Sequence, residues 1–174
     1  MTALAARAPA DLLVIGLGGN VGGDDAILER FRRAREALAA IGEVRAAPLY
    51  RSGAIGPEQP AYLNTAVRLR AEGVTPAELL ATIRELEHLL GRDRRGEARW
   101  GPRKIDLDVL VWGGRVLRSP ELWVPHPRLA ERRFALEPLV ALLGEAFEIP
   151  GAGAAGALLA RVRDQDVVEL APSW

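Results

Sequence analysis

The spacing of apolar residues alternates along this chain between a period of two and a period near 3.6, and the order of these changes is the strongest constraint on its fold. Apolar or alternating runs typical of strands cover Leu12–Leu17, Val44–Tyr50, Leu63–Leu69 and Ile105–Trp112. Helical stripes lie between them at Ile27, Phe31, Ala34, Leu38 and Ile41, and at Leu79, Ile83, Leu86 and Leu90. The order strand, helix, strand, strand, helix, strand predicts an α+β domain, a ferredoxin-like split βαβ sandwich.

Local signals predict where these elements begin and end. Thr75 with Glu78 forms a capping box, and Gly91 is a typical helix stop. Asp24 or Asp25 is expected to cap the first helix, which Gly42 would end. Pro48 places the second strand near an edge or a bulge.

The C-terminal third of the chain is expected to add a hairpin and helices to this sandwich. Gly113-Gly114 predicts a tight hairpin turn from the last strand into Arg115–Leu117. Helical patterns follow at Phe134–Leu143 and, more weakly, at Ala154–Val162. Residues 1–10 are predicted to form a flexible N-terminal tail, and residues 11–174 a single domain.

Composition narrows the classes of function. The chain has 174 residues, no cysteine, and 23 basic against 23 acidic residues. The absence of cysteine excludes disulfides and thiolate metal sites, so any bound metal should be a hard cation held by carboxylates. Balanced charge argues against a nucleic-acid coat or a membrane-surface protein. Since no apolar run approaches the length of a membrane span, we expect a cytoplasmic protein.

The motif Asp106-Leu107-Asp108 is the sharpest chemical signal in the sequence. Successive side chains of a strand point to opposite faces, so both carboxylates share one face, about 7 Å apart. Such a pair can hold Mg²⁺, which phosphoryl transfer requires to neutralise phosphate oxygens. The alternative is a solvated strand with two surface aspartates.

A cluster of basic residues precedes this strand and favours the first interpretation. Its members are Arg92, Arg94, Arg95, Arg99, Arg103 and Lys104. Arginines leading into paired carboxylates suit a nucleoside triphosphate, although most charge runs are solvated loops. Trp100 lies within the same run, and a tryptophan in a polar loop usually packs against something.

Several single residues are candidates with plain structural alternatives. Tyr62, Asn64 and Phe134 could frame an aromatic ligand, or could be core and turn residues. Glu87 falls partly on the apolar side of its helix, where a carboxylate requires a partner or a role. His126 lies between two prolines and could be a turn residue or a phosphate contact.

Taken together and in order, these segments resemble the 6-hydroxymethyl-7,8-dihydropterin pyrophosphokinase family of folate biosynthesis. The resemblance spans roughly residues 12–143 and is most specific across Arg99–Leu110. Supporting segments are Gly18-Gly19-Asn20, Tyr50-Arg51-Ser52, Gln59–Asn64, Val124–Pro127 and Arg132-Arg133-Phe134. Gly19 stands where the family commonly has serine.

The resemblance implies a Mg²⁺-dependent transfer of pyrophosphate from ATP to the pterin hydroxymethyl group, with release of AMP. It implies that Asp106 and Asp108 carry two Mg²⁺ ions and that Arg92 and Arg103 neutralise the phosphates. Further implied contacts to the nucleotide come from Glu87, Arg99, His126 and Arg132. The implied pterin contacts are Ser52, Tyr62, Asn64, Trp100 and Phe134. We expect a monomer whose partners are these two substrates.

Three other interpretations remain open from the sequence. A nucleotidyl or other phosphoryl transferase could use the same aspartates and arginines. Nucleotidyl transfer would release pyrophosphate, whereas pyrophosphoryl transfer yields AMP. An RNA-binding ferredoxin-like module would need exposed strand aromatics and a basic face, whereas aromatic residues make up 5% of the chain. The third is a degenerate scaffold or regulatory domain, against which the intact Asp106, Asp108, Arg92 and Arg103 argue.

Overall fold

A computed structural model of the chain describes residues 9–54, 56–93 and 101–174. The predicted tail therefore lies largely outside the described residues, and so do Arg99 and Trp100. The described residues form a mixed α/β structure with an antiparallel main sheet and helices on both of its faces. No helix among these residues is both long enough and apolar enough to span a bilayer.

Short strands flank a set of longer ones. The strands are β1 (Leu12–Gly19), β2 (Arg45–Ala46), β3 (Leu49–Ser52), β4 (Tyr62–Arg70), β5 (Asp106–Trp112), β6 (Leu117–Arg118), β7 (Trp123–Val124), β8 (Glu148–Ile149), β9 (Gly153–Ala154) and β10 (Val167–Ala171). The helices are α1 (Gly23–Leu38), α2 (Pro76–Leu89), α3 (Arg133–Leu143) and α4 (Ala155–Ala160), with a 3-10 turn at Leu129–Glu131.

The main sheet has the strand order β10-β3-β4-β1-β5, and each neighbouring pair is antiparallel. Strand β2 pairs separately with β4. Strand β1 lies between β4 and β5 and is buried along most of its length. The predicted mixture of helices with an antiparallel sheet is confirmed.

Two apolar clusters lie on opposite faces of this sheet. On one face, alternate β1 residues such as Leu13 and Ile15 pack with Phe31 of α1 and Leu79 of α2. On the other face, Val14 packs in a second cluster with residues of α3 and α4. Because α3 and α4 cover only part of that second face, the rest of it is available for a pocket.

Helix α2 forms as the sequence predicts. Thr75 accepts a hydrogen bond from the Glu78 backbone at 3.3 Å, and the Glu78 carboxylate accepts one from the Thr75 backbone at 2.8 Å. Helix α1 differs from the prediction, since its N-cap is Gly22 in a left-handed conformation, without a side-chain cap. It ends at Leu38, before Gly42, which packs closely against the Arg70 carbonyl.

The predicted hairpin after β5 is wrong. Strand β6 pairs with β7 in a separate two-stranded ladder, and it does not pair with β5. Gly113 has a φ of 51° and donates its N–H to the Leu12 carbonyl. A Cβ at Gly113 would come within 2.7 Å of the Pro9 carbonyl oxygen. This glycine therefore allows the chain to pass close to residues 9–12 as it leaves the sheet.

Strand β10 was not predicted, and it changes the position of β3. Pro48 separates β2 from β3, as expected from the break that proline makes in a strand. Strand β3 is nevertheless an interior strand, because β10 pairs along its outer side. The C-terminal strand β10 is therefore the edge strand on this side of the main sheet.

Candidate active site

Glycines of β1 open the floor of a pocket on one face of the sheet. Gly18 is paired with Asn64 on one side and with Asp106 on the other. Gly16 is the partner of Asp108. Directly paired residues in an antiparallel sheet point to the same face, so the side chains of β4 and β5 stand on either side of a strip without side chains.

Most of the residues predicted for the site line this one pocket. From the substrate group these are Ser52, Tyr62, Asn64 and Phe134, and from the phosphate and metal group they are Arg103, Asp106, Asp108, His126 and Arg132. Glu87 and Arg92 lie behind the wall, in contact with it through hydrogen bonds. Arg99 and Trp100 fall outside the described residues.

Asp106 is held by two arginines. Arg92 Nη1 donates to Asp106 Oδ1 at 2.5 Å, and Arg103 Nη1 donates to Asp106 Oδ2 at 2.5 Å. Arg92 has 4% of its side-chain surface exposed, whereas Arg103 has 27%. Arg103 therefore has the more open path into the pocket, and Arg92 acts from within the wall.

Glu87 anchors this arrangement from α2. Its carboxylate accepts a hydrogen bond from Arg92 Nη1 and another, at 2.9 Å, from the Leu107 backbone N–H. Its side chain is 1% exposed. The sequence-based expectation that a carboxylate on this helix face would need a partner is confirmed. Glu87 fixes both the direction of Arg92 and the strand position between the two aspartates.

The surroundings of Asp108 disfavour its negatively charged form, and nearby arginines offset this only in part. The pocket leaves 41% of its side-chain surface accessible. Even so, the carboxylate lies deep among protein atoms, and this dehydration, followed by repulsion from Asp106, raises its pKa to about 7. Arg132 and Arg103 act in the opposite direction. A cation bound beside Asp108 would offset this excess of negative charge and favour the ionised carboxylate.

His126 faces Asp108 as a neutral ring. Its Nε2 lies 3.8 Å from Asp108 Oδ2. Burial, with Arg132 as the next cause, lowers the pKa of His126 to about 4. Its ring Nδ1 accepts a hydrogen bond from the Arg128 backbone N–H at 3.2 Å, and the His126 backbone N–H donates to the Leu110 carbonyl at 2.9 Å. His126 therefore makes a turn contact and also lines the pocket.

The other half of the pocket is aromatic and amide-rich. Tyr62 Oη donates to the Gly101 carbonyl at 3.2 Å, and Asn64 Nδ2 donates to Ser52 Oγ at 2.9 Å. Phe134 lies 5.6 Å from the Arg132 guanidinium. The pocket therefore places flat, neutral surface next to the charged wall.

Arg132 lies next to both halves of the pocket, near Asp108 on one side and Phe134 on the other. Its Nε is buried and has no hydrogen-bond partner among residues 9–54, 56–93 and 101–174. A buried guanidinium N–H without a partner is costly, which marks this group as a candidate ligand contact.

Carboxylate oxygens of the pocket fit a hard cation only in part. Within the described residues, no group of three or more His, Asp or Glu side chains is placed to hold a metal. Asp106 and Asp108 alone would leave most coordination positions to other ligands. Mg²⁺ commonly binds in this way, with one or two carboxylates, several waters and substrate phosphates. The pair therefore fits Mg²⁺ that arrives with a phosphate-bearing substrate.

Sequence reasoning missed the role of Asn20 at the end of β1. Its side chain is 3% exposed and bonded to two other segments of the chain. Asn20 follows two glycines in the sequence, and its partners are distant along the chain. A polar residue at the end of a buried strand is the one signal that could have identified it.

The fold and the pocket together define a class of protein: a mixed α/β enzyme whose site combines paired carboxylates, arginines and aromatic rings. The comparison with protein families specifies which one. The family described as 7,8-dihydro-6-hydroxymethylpterin-pyrophosphokinase (HPPK) matches residues 14–144. This chain belongs to that family.

Individual relatives agree with this assignment. A 2-amino-4-hydroxy-6-hydroxymethyldihydropteridine pyrophosphokinase of Synechocystis is 41% identical over 129 residues, covering 72% of this chain and 63% of the relative. The protein of the same name from Bacillus subtilis is 36% identical over 130 residues, covering 74% and 76%. A mitochondrial folate synthesis bifunctional protein of Pisum sativum is 41% identical, covering 78% of this chain but 26% of its own length.

Solved structures share the fold. Wild-type HPPK-DHPS of Plasmodium falciparum, crystallised with pteroate, aligns with a TM-score of 0.67 at 11% sequence identity. The alignment covers 91% of this chain and 45% of that one. At this level of identity the likeness concerns the fold alone.

Proposed function

We propose that this protein transfers the pyrophosphoryl group of ATP to the hydroxymethyl group of 6-hydroxymethyl-7,8-dihydropterin, releasing AMP, as a step of folate biosynthesis. Family membership supports the reaction. The observation that carries the proposal is the division of one pocket into a charged half around Asp106 and Asp108 and a neutral half around Tyr62, Asn64 and Phe134. A triphosphate and a flat heterocycle are the two ligands that such halves would accept.

In the charged half, Asp106 and Asp108 would hold Mg²⁺, with two ions expected. When bound, Mg²⁺ neutralises the charge on the phosphate oxygens. Arg103, now paired with Asp106 and partly exposed, would turn to the phosphates. Arg92 would contribute its charge from inside the wall, where Glu87 orients it.

His126, Arg132 and Arg99 are the further nucleotide contacts of this proposal. His126 is neutral at pH 7, because burial lowers its pKa, so it would offer a ring nitrogen rather than a charge. Arg132 would use its unpartnered Nε. Arg99 belongs to the segment outside the described residues, so its role rests on the family resemblance.

In the neutral half, the rings of Tyr62 and Phe134 would stack on the two faces of the pterin. Asn64 and Ser52 already hydrogen-bond each other, and they would offer polar groups to the pterin edge. Trp100, outside the described residues, would complete this half.

The reaction then requires positioning and charge neutralisation. The pterin hydroxymethyl oxygen forms a bond to the β-phosphorus, the bond from that phosphorus to the α,β-bridging oxygen breaks, and AMP leaves with that oxygen. The hydroxyl proton is released. Holding both substrates against one wall makes this attack effectively intramolecular, and no covalent enzyme intermediate is needed.

We also infer a ferredoxin-like arrangement, because β3-β4-β1-β5 with α1 and α2 follows the split βαβ order. A single domain over residues 11–174 is supported by the two clusters that share strand β1. A monomeric, cytoplasmic enzyme remains our prediction.

Calorimetric titration with 6-hydroxymethylpterin, with and without Mg²⁺ and a non-hydrolysable ATP analogue, tests the proposal. The nucleotide is expected to tighten pterin binding in the wild type, and Asp106→Ala should abolish that gain. Asp25→Ala, at an exposed position of α1, is the matched control and should behave as wild type. Absence of pterin binding under all conditions would refute the substrate assignment.

A further inference from the structure

Asn20 is a buried amide that joins two segments of the site. Its Nδ2 donates to Gln59 Oε1 at 3.0 Å and to the Pro60 carbonyl at 2.9 Å. Its Oδ1 accepts a hydrogen bond from the Arg103 backbone at 2.8 Å, and its own backbone N–H donates to the Arg103 carbonyl at 2.9 Å. Both ends of one side chain are thus used, each toward a different segment.

These two segments lead to opposite halves of the pocket. Residues 56–61 run directly into Tyr62 at the start of β4, on the neutral side. Arg103 and the residues after it run into Asp106 at the start of β5, on the charged side. A displacement of one segment is therefore passed to the other through the Asn20 amide.

The end of β1 is also fixed against the charged side by close packing. A Cβ at Gly19 would lie 2.8 Å from the Lys104 carbonyl oxygen, so a side chain at this position would require the backbone at Lys104 to shift. Arg30 Nη1 donates to the Val21 carbonyl at 2.6 Å and lies 3.3 Å from the Lys104 carbonyl oxygen. Since Asn20 lies in this closely packed junction, a displacement of residues 56–61 that its amide followed would also displace the Arg103 backbone.

We propose that Asn20 is a positioning residue that couples the two substrate halves, so that occupancy of one half sets the geometry of the other. This inference rests on the proposed function for the identity of the two ligands. Such coupling is reciprocal: the factor by which nucleotide tightens pterin binding equals the factor by which pterin tightens nucleotide binding. A residue with only a structural role would change stability or both affinities without changing that factor.

The isosteric variant Asn20→Asp separates the hydrogen bond to Arg103 from the hydrogen bonds to Gln59 and Pro60. Its carboxylate still accepts from the Arg103 N–H but no longer donates to Gln59 or Pro60. The coupling factor, measured as the ratio of pterin dissociation constants without and with Mg²⁺ and the ATP analogue, should fall on the order of tenfold. Nucleotide affinity measured without pterin should stay within about twofold of wild type, because the hydrogen bond from the Arg103 backbone N–H is kept.

Two further variants keep the test decisive. Gln59→Ala leaves Asn20 intact, removes one of its partners and should lower the coupling factor by about threefold, so it serves if Asn20 variants fold poorly. Thr75→Ala removes the cap of α2 at the helix end far from Glu87. It should lower the thermal midpoint and leave the coupling factor at the wild-type value.

The outcomes are distinguishable. A wild-type coupling factor in both Asn20→Asp and Gln59→Ala would overturn the inference while leaving the proposed function intact. Equal weakening of both ligands, with the factor unchanged, would also overturn it and assign Asn20 a structural role. A wild-type protein that binds no pterin would refute the proposed function, and the inference with it.

Discussion

Replacing Glu87 by alanine tests the buried network behind the pocket. The substitution leaves the Arg92 guanidinium, 4% exposed, without this carboxylate, and removes the acceptor of the Leu107 N–H. Breaking a buried ion pair from one side costs about 3–5 kcal/mol, and an unsatisfied buried N–H costs about 1–3 kcal/mol. These costs overlap, and Arg92 keeps its bond to Asp106, so we expect a loss at the lower end, about 3 kcal/mol. For a chain of this length that is a fall of roughly 10 °C in Tm.

Urea unfolding followed by circular dichroism measures this free energy directly. Glu87→Gln keeps an acceptor for the Leu107 N–H and should lose about half as much. Glu85→Ala is the matched control, since Glu85 is exposed on the same helix and should change stability by less than about 0.5 kcal/mol. A Glu87→Ala protein as stable as Glu85→Ala would refute the argument that this pair organises the wall.

Three further predictions concern residues outside this network. The variant Tyr62→Phe leaves Tyr50 as the sole tyrosine, so absorbance titration reports on this residue alone. We expect a pKa of about 12, because burial, reinforced by nearby glutamates, disfavours the phenolate. An ordinary pKa near 10 would contradict this. Because the folded state holds that proton more tightly, the stability it contributes is complete below pH 10 and is lost as the pH rises toward 12. Trp174→Ala should lower the free energy of unfolding in urea by about 3 kcal/mol, because the indole packs on Phe31 and donates to the Ala47 carbonyl at 2.9 Å. A loss below about 1 kcal/mol would contradict this. Trp112→Phe should cost about 1–3 kcal/mol by the same assay, because the smaller ring leaves a cavity in the core. No hydrogen bond of Trp112 Nε1 is lost among the described residues, and a loss above about 4 kcal/mol would contradict this.

Periodicity predicted the elements whose burial is one-sided or complete along their length. Strands β1, β4 and β5 and helix α2 were placed correctly because apolar spacing and the Thr75 capping box act locally. Strand β10 was missed because its only buried residue is Val167, and the partner that makes it a strand, β3, is more than a hundred residues earlier. The hairpin at Gly113 was wrong because a glycine that permits a close backbone approach looks the same in sequence as a turn glycine.

The site divides in the same way. The shared face of Asp106 and Asp108 follows from strand alternation, and the need for a partner at Glu87 follows from helix periodicity. The identity of that partner, Arg92, could not be derived from periodicity. Asn20 was more obscure still, since Gln59 and Arg103 lie 39 and 83 residues from it. Local rules place a side chain on a face, and only the fold determines what stands opposite.

Identification of the phosphorus-containing products tests the central claim most directly. Incubation of the protein with Mg²⁺, ATP and 6-hydroxymethyl-7,8-dihydropterin, followed by ³¹P NMR, should show AMP together with a pterin carrying two phosphates, and Asp108→Ala should suppress both. Release of inorganic pyrophosphate, with AMP joined to the acceptor, would contradict the account and show that the same pocket catalyses nucleotidyl transfer.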